Sequence, residues 1–106
     1  MLSLLLGAVV LAACAPTLGG MSCNDREGGI ADYAEGERLA DTPQLALAAF
    51  LPSEAAFQSL TRGMETIGTD TATWTFVDGQ GTTAAEVKAE RSEGGWAVVK
   101  WEYCRP

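Results

Sequence analysis

Apolar positions change their spacing several times along the chain, and each change predicts a different element. An almost unbroken apolar run from Met1 to Val10 continues through Leu11, Ala12 and Ala13 to Cys14. From Ala15 to about Gly29 the chain is rich in Gly with scattered charge and has no apolar period, which reads as a tether leading into loop. Residues 30–41 set small and acidic groups around Tyr33 and Leu39, and predict a loosely packed stretch or one weak helical turn. At Asp41-Thr42-Pro43 a helix start is signalled, because Asp or Thr accepts from orphan amides and Pro is tolerated in the first turn. Leu45, Leu47, Ala48, Ala49, Phe50 and Leu51 give that helix a broad apolar surface, and Pro52 ends it. Ser53 then caps a second predicted helix through Arg62, with Ala56, Phe57 and Leu60 on one face and Gly63 as its stop.

After Gly68 the period becomes that of a strand. Thr71 to Val77 is β-branched and aromatic, with Trp74 and Phe76 alternating against threonines. Asp78-Gly79-Gln80-Gly81 is turn chemistry. Residues 82–91 fit two readings. As a strand, Ala85, Val87 and Ala89 alternate with Glu86, Lys88 and Glu90; as a helix, the Ala, Glu, Lys and Arg content is favourable and Thr82 or Thr83 serves as cap. The strand is preferred, because the short turns on both sides match hairpin connections. A last strand from Trp96 to Cys104 follows Glu93-Gly94-Gly95, and strict alternation puts Ala97, Val99, Trp101 and Tyr103 on one face and Trp96 and Val98 on the other. The resulting fold class is α+β, with short helices packed on a three-stranded antiparallel meander spanning residues 41–106.

Composition narrows the chemistry. The chain has 106 residues, a formal net charge of −7 and no basic cluster, so nucleic acid is excluded as a partner on electrostatic grounds. It contains no His, which removes Ser-His and Cys-His catalysis and imidazole metal sites. The carboxylate pairs Asp25/Glu27 and Glu35/Glu37 fall in loop-like, exposed sequence, where nothing raises a carboxyl pKa for acid-base work. Asn24-Asp25-Arg26-Glu27 does not supply the spaced oxygen ligands of a calcium loop. Gly79-Gln80-Gly81-Thr82-Thr83-Ala84 formally matches the dinucleotide-binding pattern after a strand, with Glu102 about twenty residues on. The chain beyond it is too short for a doubly wound sheet, and a Gly-rich hairpin turn accounts for the same residues. No metal, cofactor or catalytic residue is expected. Trp74, Trp96 and Trp101 are the candidates for a binding surface: each has the core as its ordinary role, and Trp96, beside a turn, is the one expected to be accessible.

The first segment closes on Leu11-Ala12-Ala13-Cys14, which resembles the lipobox of bacterial lipoproteins. A short apolar run ending in small residues is a secretory signal, too short to span a bilayer. The resemblance implies that residues 1–13 are removed and that Cys14 is lipid-modified and becomes the new first residue. Residues 14–40 are then a lipidated tether and loop, and the protein is tethered in the cell envelope. Ala15 lacks the Asp that often retains a lipoprotein at an inner membrane, so the expected address is the periplasmic face of an outer membrane where the host has two. With Cys14 set aside, Cys23 and Cys104 remain as an even pair. They either form a bridge closing nearly the whole domain or persist as two free thiols.

The predicted order from Asp41 to Cys104, two helices followed by three strands, is weakly similar to small helix-on-sheet lipoproteins related to the nuclear transport factor 2 family. That resemblance implies a curved sheet beneath a helix and a cavity for a small ligand. Taken together, a non-enzymatic binding or interaction role at the envelope is expected, for a small ligand or an envelope protein. The alternative is an acidic inhibitor or immunity-type lipoprotein that captures a cationic envelope enzyme.

Overall fold

A computed structural model describes residues 21, 23–32 and 39–105. The apolar run, Cys14, Tyr33, Glu35 and Glu37 lie outside the described residues. The elements are β1 (Arg26–Ile30), α1 (Pro43–Phe50), β2 (Thr61–Ile67), β3 (Thr71–Val77), β4 (Thr83–Ser92) and β5 (Gly95–Cys104), with two short 3-10 turns, Leu51–Ser53 and Ala55–Phe57, after the helix. The strands form one five-stranded sheet in the order β1-β5-β4-β3-β2, with every neighbouring pair antiparallel. This corrects the expected three-stranded sheet with several helices: the fold is mostly β, with one short α-helix among the described residues. The element order behind the resemblance to the nuclear transport factor 2 relatives changes with it, since one strand precedes the helix and four follow.

Local chemistry explains both differences. Helix α1 begins as its sequence dictates, with Pro43 in the first turn and the Thr42 Oγ1 accepting from the Leu45 amide at 3.1 Å. No second helix follows. Pro52 sits inside a 3-10 turn, and Glu54 adopts extended backbone (φ −123°, ψ 102°) between the two turns. Arg62 and Gly63, expected to end a helix, lie in β2 instead. All seven residues of β2 are exposed, so no alternation betrays the strand. The other addition, β1, comes from residues read as tether, and its sequence Arg-Glu-Gly-Gly-Ile has no strand pattern. Its glycines are required by the neighbour: a Cβ at Gly28 would overlap the Trp101 carbonyl oxygen, and one at Gly29 would lie 2.6 Å from Cζ2 of the Trp101 ring.

The ambiguous segment 82–91 is strand β4. The residues of the formal dinucleotide pattern therefore make a hairpin turn and the start of a strand rather than a helix. Asp78 Oδ1 accepts from the amides of Gln80 (2.9 Å) and Thr82 (3.0 Å), and Gly81 takes φ +80°.

Strand β5 contains the feature that decides its faces. Lys88 pairs with Lys100 but Ala89 pairs with Val98, leaving Val99 as an unopposed extra residue. The bulge switches the phase of alternation, so Trp96 and Val98 share a face with Trp101 and Tyr103. The expectation that Trp96 and Trp101 point to opposite faces is overturned by this one residue.

That shared face is the one the helix covers. Leu47 and Ala46 of α1, with Phe57 beneath the 3-10 turns, pack on Ala72, Trp74 and Phe76 of β3, Ala85, Val87 and Ala89 of β4, and Trp96 and Val98 of β5. Small residues on the sheet let α1 approach closely, and Leu47 is fully enclosed. Cys23 and Cys104 are joined by a disulfide, Cα to Cα 5.8 Å, which fixes the start of β1 to the end of β5.

Candidate functional site: an aromatic groove between helix and sheet

A groove lies between α1 and β5. Its helix wall is Ala46, Ala49 and Phe50, and its floor is Trp96, Val98 and Trp101. Ala31, Leu39 and Ala40 close one end, and Ser53 and Glu54 the other; the volume is about 340 Å³, within the range of small-molecule sites. The end at Ala40 is held by paired backbone bonds, Ala40 N–H to Trp96 O at 3.0 Å and Trp96 N–H to Ala40 O at 2.7 Å. This close approach needs Gly95, whose φ is +119° and whose Cβ would overlap the Ala40 carbonyl oxygen.

Each tryptophan has a distinct place. Trp74 is fully buried in the core, and its indole N–H donates to Glu65 Oε2 at 2.7 Å. It contributes no surface. Trp96, the residue expected to be accessible, is only 8% exposed and forms the floor of the groove. Trp101 is half-buried, with its ring centroid 4.9 Å from that of Phe50. The Phe50 ring also meets Phe57 edge-on at 5.6 Å, so the groove wall is continuous with the aromatic core.

The polar side chains on the described lining are Ser53 and Glu54. Among the described residues Glu54 is the groove's one charged lining residue and no basic side chain lines it, and the Ser53 hydroxyl is spent on the Phe50 carbonyl at 2.7 Å. Outside the groove lining, Tyr103 donates to Glu27 Oε1 at 3.4 Å. Partial desolvation, the carboxylates of Glu27 and Glu54, and the bond to Glu27 raise the Tyr103 phenol above its ordinary value, with Arg105 acting in the opposite sense. Tyr103 is therefore neutral across the physiological range.

Of the two carboxylate pairs, the structure describes only Asp25/Glu27, and it gives each acid a separate partner. Asp25 is ion-paired with Arg105 at 3.2 Å on the surface, Glu27 is the acceptor of Tyr103, and Glu35 and Glu37 lie outside the described residues. On the open face of the sheet, Glu86 stands opposite Glu102 and Lys88 opposite Lys100, so acids and bases alternate diagonally. Arg26 adds an ion pair to Glu102 at 3.6 Å and Lys88 one to Glu90 at 3.3 Å.

Sequence reasoning missed Ala46, Ala49, Phe50 and Glu54 as groove residues. The available signal was the pair of alanines three apart on a helix otherwise rich in Leu and Phe, which leaves a shallow strip beside larger side chains. Comparison with protein-family models, with curated proteins and with solved structures gives no match.

Proposed function

We propose that this chain is a non-enzymatic binding module of the cell envelope, tethered through a lipid on Cys14, whose groove between α1 and β5 takes a small, apolar, non-anionic molecule. The groove carries this reading. Trp96, Trp101 and Phe50 offer aromatic area on a backbone held by the Ala40 bridge, and a cavity of about 340 Å³ suits a ligand of few rings. Glu54, the one charge on the lining among the described residues, repels anions and favours a neutral or cationic guest. The inhibitor alternative is less favoured, because acids and bases interleave on the open face rather than forming the continuous acidic surface that capture of a cationic enzyme requires.

The test is a titration with the neutral apolar fluorophore N-phenyl-1-naphthylamine, with the anionic 8-anilinonaphthalene-1-sulfonate as contrast. Saturable enhancement at one equivalent is expected for the neutral probe and weaker binding for the anion, with the difference narrowed by Glu54→Gln. Ala49→Leu places a branched side chain in the groove and abolishes binding without lowering the melting temperature. Binding that Ala49→Leu leaves intact, or no saturable binding of the neutral probe, overturns the groove as the site.

A further inference from the structure

The outer edge of β2 presents a feature independent of the groove. The whole strand Thr61–Ile67 is exposed and, among the described residues, no other strand covers its outer side. It also carries Met64 (70% exposed) and Ile67 (43%), two of the four exposed large hydrophobic residues among those described.

The direction of its backbone groups follows from its bonds to β3. Gly68 donates its amide to the Thr71 carbonyl at 2.8 Å and Met64 donates to Thr75 Oγ1 at 2.9 Å, so both point inward. Alternation then turns the amides and carbonyls of Ile67 and Glu65 outward. Arg62 pairs with Phe76 and Glu65 with Trp74, so Gly63 and Met64 together oppose Thr75 as a bulge. The bulge returns Arg62 to the phase of Glu65: both turn their backbone groups outward and both side chains fall on the helix-covered side. Arg62 makes no ion pair with any described residue, while one oxygen of Glu65 is committed to Trp74.

We infer that β2 pairs antiparallel with β2 of a second copy of this chain, about a two-fold axis between Gly63 and Met64, joining two sheets into one of ten strands. In that register Arg62 of each copy stands opposite Glu65 of the other, on the same face and with outward backbone groups facing each other. Thr61 stands opposite Thr66 on the other face, and bulge meets bulge, so the strand's irregularity is matched rather than obstructive. The opposite charges are placed symmetrically about the axis, which is what a self-complementary edge requires and a generic partner does not. A single strand edge buries less than the roughly 1,200 Å² of a stable complex, so the dimer is reversible and concentration-dependent.

Sedimentation equilibrium of the full chain, from about 10 µM to about 1 mM, tests this with charge reversal. The wild-type chain is expected to dimerise reversibly. Arg62→Glu, which breaks no side-chain ion pair among the described residues, is expected to weaken association by at least about tenfold, because like charges then face each other twice. Glu65→Arg alone is expected to do the same, and an equimolar mixture of the two variants to recover a heterodimer, since both facing pairs are again opposite in sign. Should Glu65→Arg fail to fold for want of the Trp74 acceptor, Glu65→Gln keeps an acceptor oxygen while removing the facing charge, and it too is expected to weaken association. A wild-type chain that stays monomeric at about 1 mM, or association that Arg62→Glu leaves unchanged, overturns the inference.

Discussion

Trp74 makes the most exacting demand that any side chain here places on a single neighbour. Its ring is fully enclosed beneath α1, and its one polar atom reaches the sheet edge only because Glu65 turns a carboxylate oxygen to 2.7 Å from it. A buried indole N–H without an acceptor forfeits its bond to water with nothing in return. Glu65→Ala is therefore expected to lower unfolding free energy by about 1–3 kcal/mol in urea titration, whereas Glu65→Gln, which keeps an oxygen in place, should cost much less. Equal losses from the two substitutions would mean that the carboxylate's charge, rather than its role as acceptor, matters. None of this was legible from sequence: Trp74 was recognisable as a half-buried strand residue, but its partner lies on a strand with no apolar signature.

At the scale of elements, the sequence disclosed what repeats and concealed what is held by a neighbour. Strands β3 and β4 follow from alternation, and α1 follows from Thr42, Pro43 and its apolar residues, because each carries its own pattern. Strands β1 and β2 carry none. One is fixed by pairing to β5 and by glycines that make room for Trp101, the other by pairing to β3 with all seven of its residues exposed. The bulge at Val99 was equally hidden, since Gly-Trp-Ala-Val-Val-Lys-Trp reads as plain alternation until Ala89 and Lys88 assign its partners. Its consequence is large: without the extra residue the strand cannot present Trp96 and Trp101 to the same side. Deletion of Val99 is accordingly expected to turn either the Trp96 end or the Trp101 and Tyr103 end onto the open face, with a red-shifted tryptophan emission and loss of saturable binding in the groove. Val99→Ala retains the residue count and should preserve both. A deletion variant with native emission and binding would show that β5 absorbs the loss elsewhere.

For the whole molecule, the question is what holds a sheet edge that buries so little. Four of the five residues of β1 are exposed and two are glycines, so its apolar burial is slight and its place depends on the ladder to β5 and on the covalent link from Cys23 to Cys104. That link spans 81 positions in sequence, and constraining so long a loop in the unfolded chain contributes about 4–5 kcal/mol in the chain-entropy picture. In a domain of this size each kcal/mol corresponds to about 4–8 °C, so reduction should lower the melting temperature by roughly 15–40 °C. The loss should also be uneven. β1 has the fewest contacts to fall back on, so its amides should exchange first, and because the chain leaves β1 through Ala31, at one end of the groove, the neutral probe should bind more weakly to the reduced protein. Cys23→Ser with Cys104→Ser should reproduce the reduced state and remove any further effect of reductant. The same chemistry tests the proposed anchor. Intact mass from a native membrane fraction should give a lipid-modified species beginning at Cys14 that gains only the mass of one reduced bridge, since the third cysteine is then blocked at its thioether. An unmodified chain in which Cys14 remains a free thiol would remove the tether and with it the envelope as the setting for the groove, while leaving the groove titration and the β2 charge reversal to stand or fall on their own results.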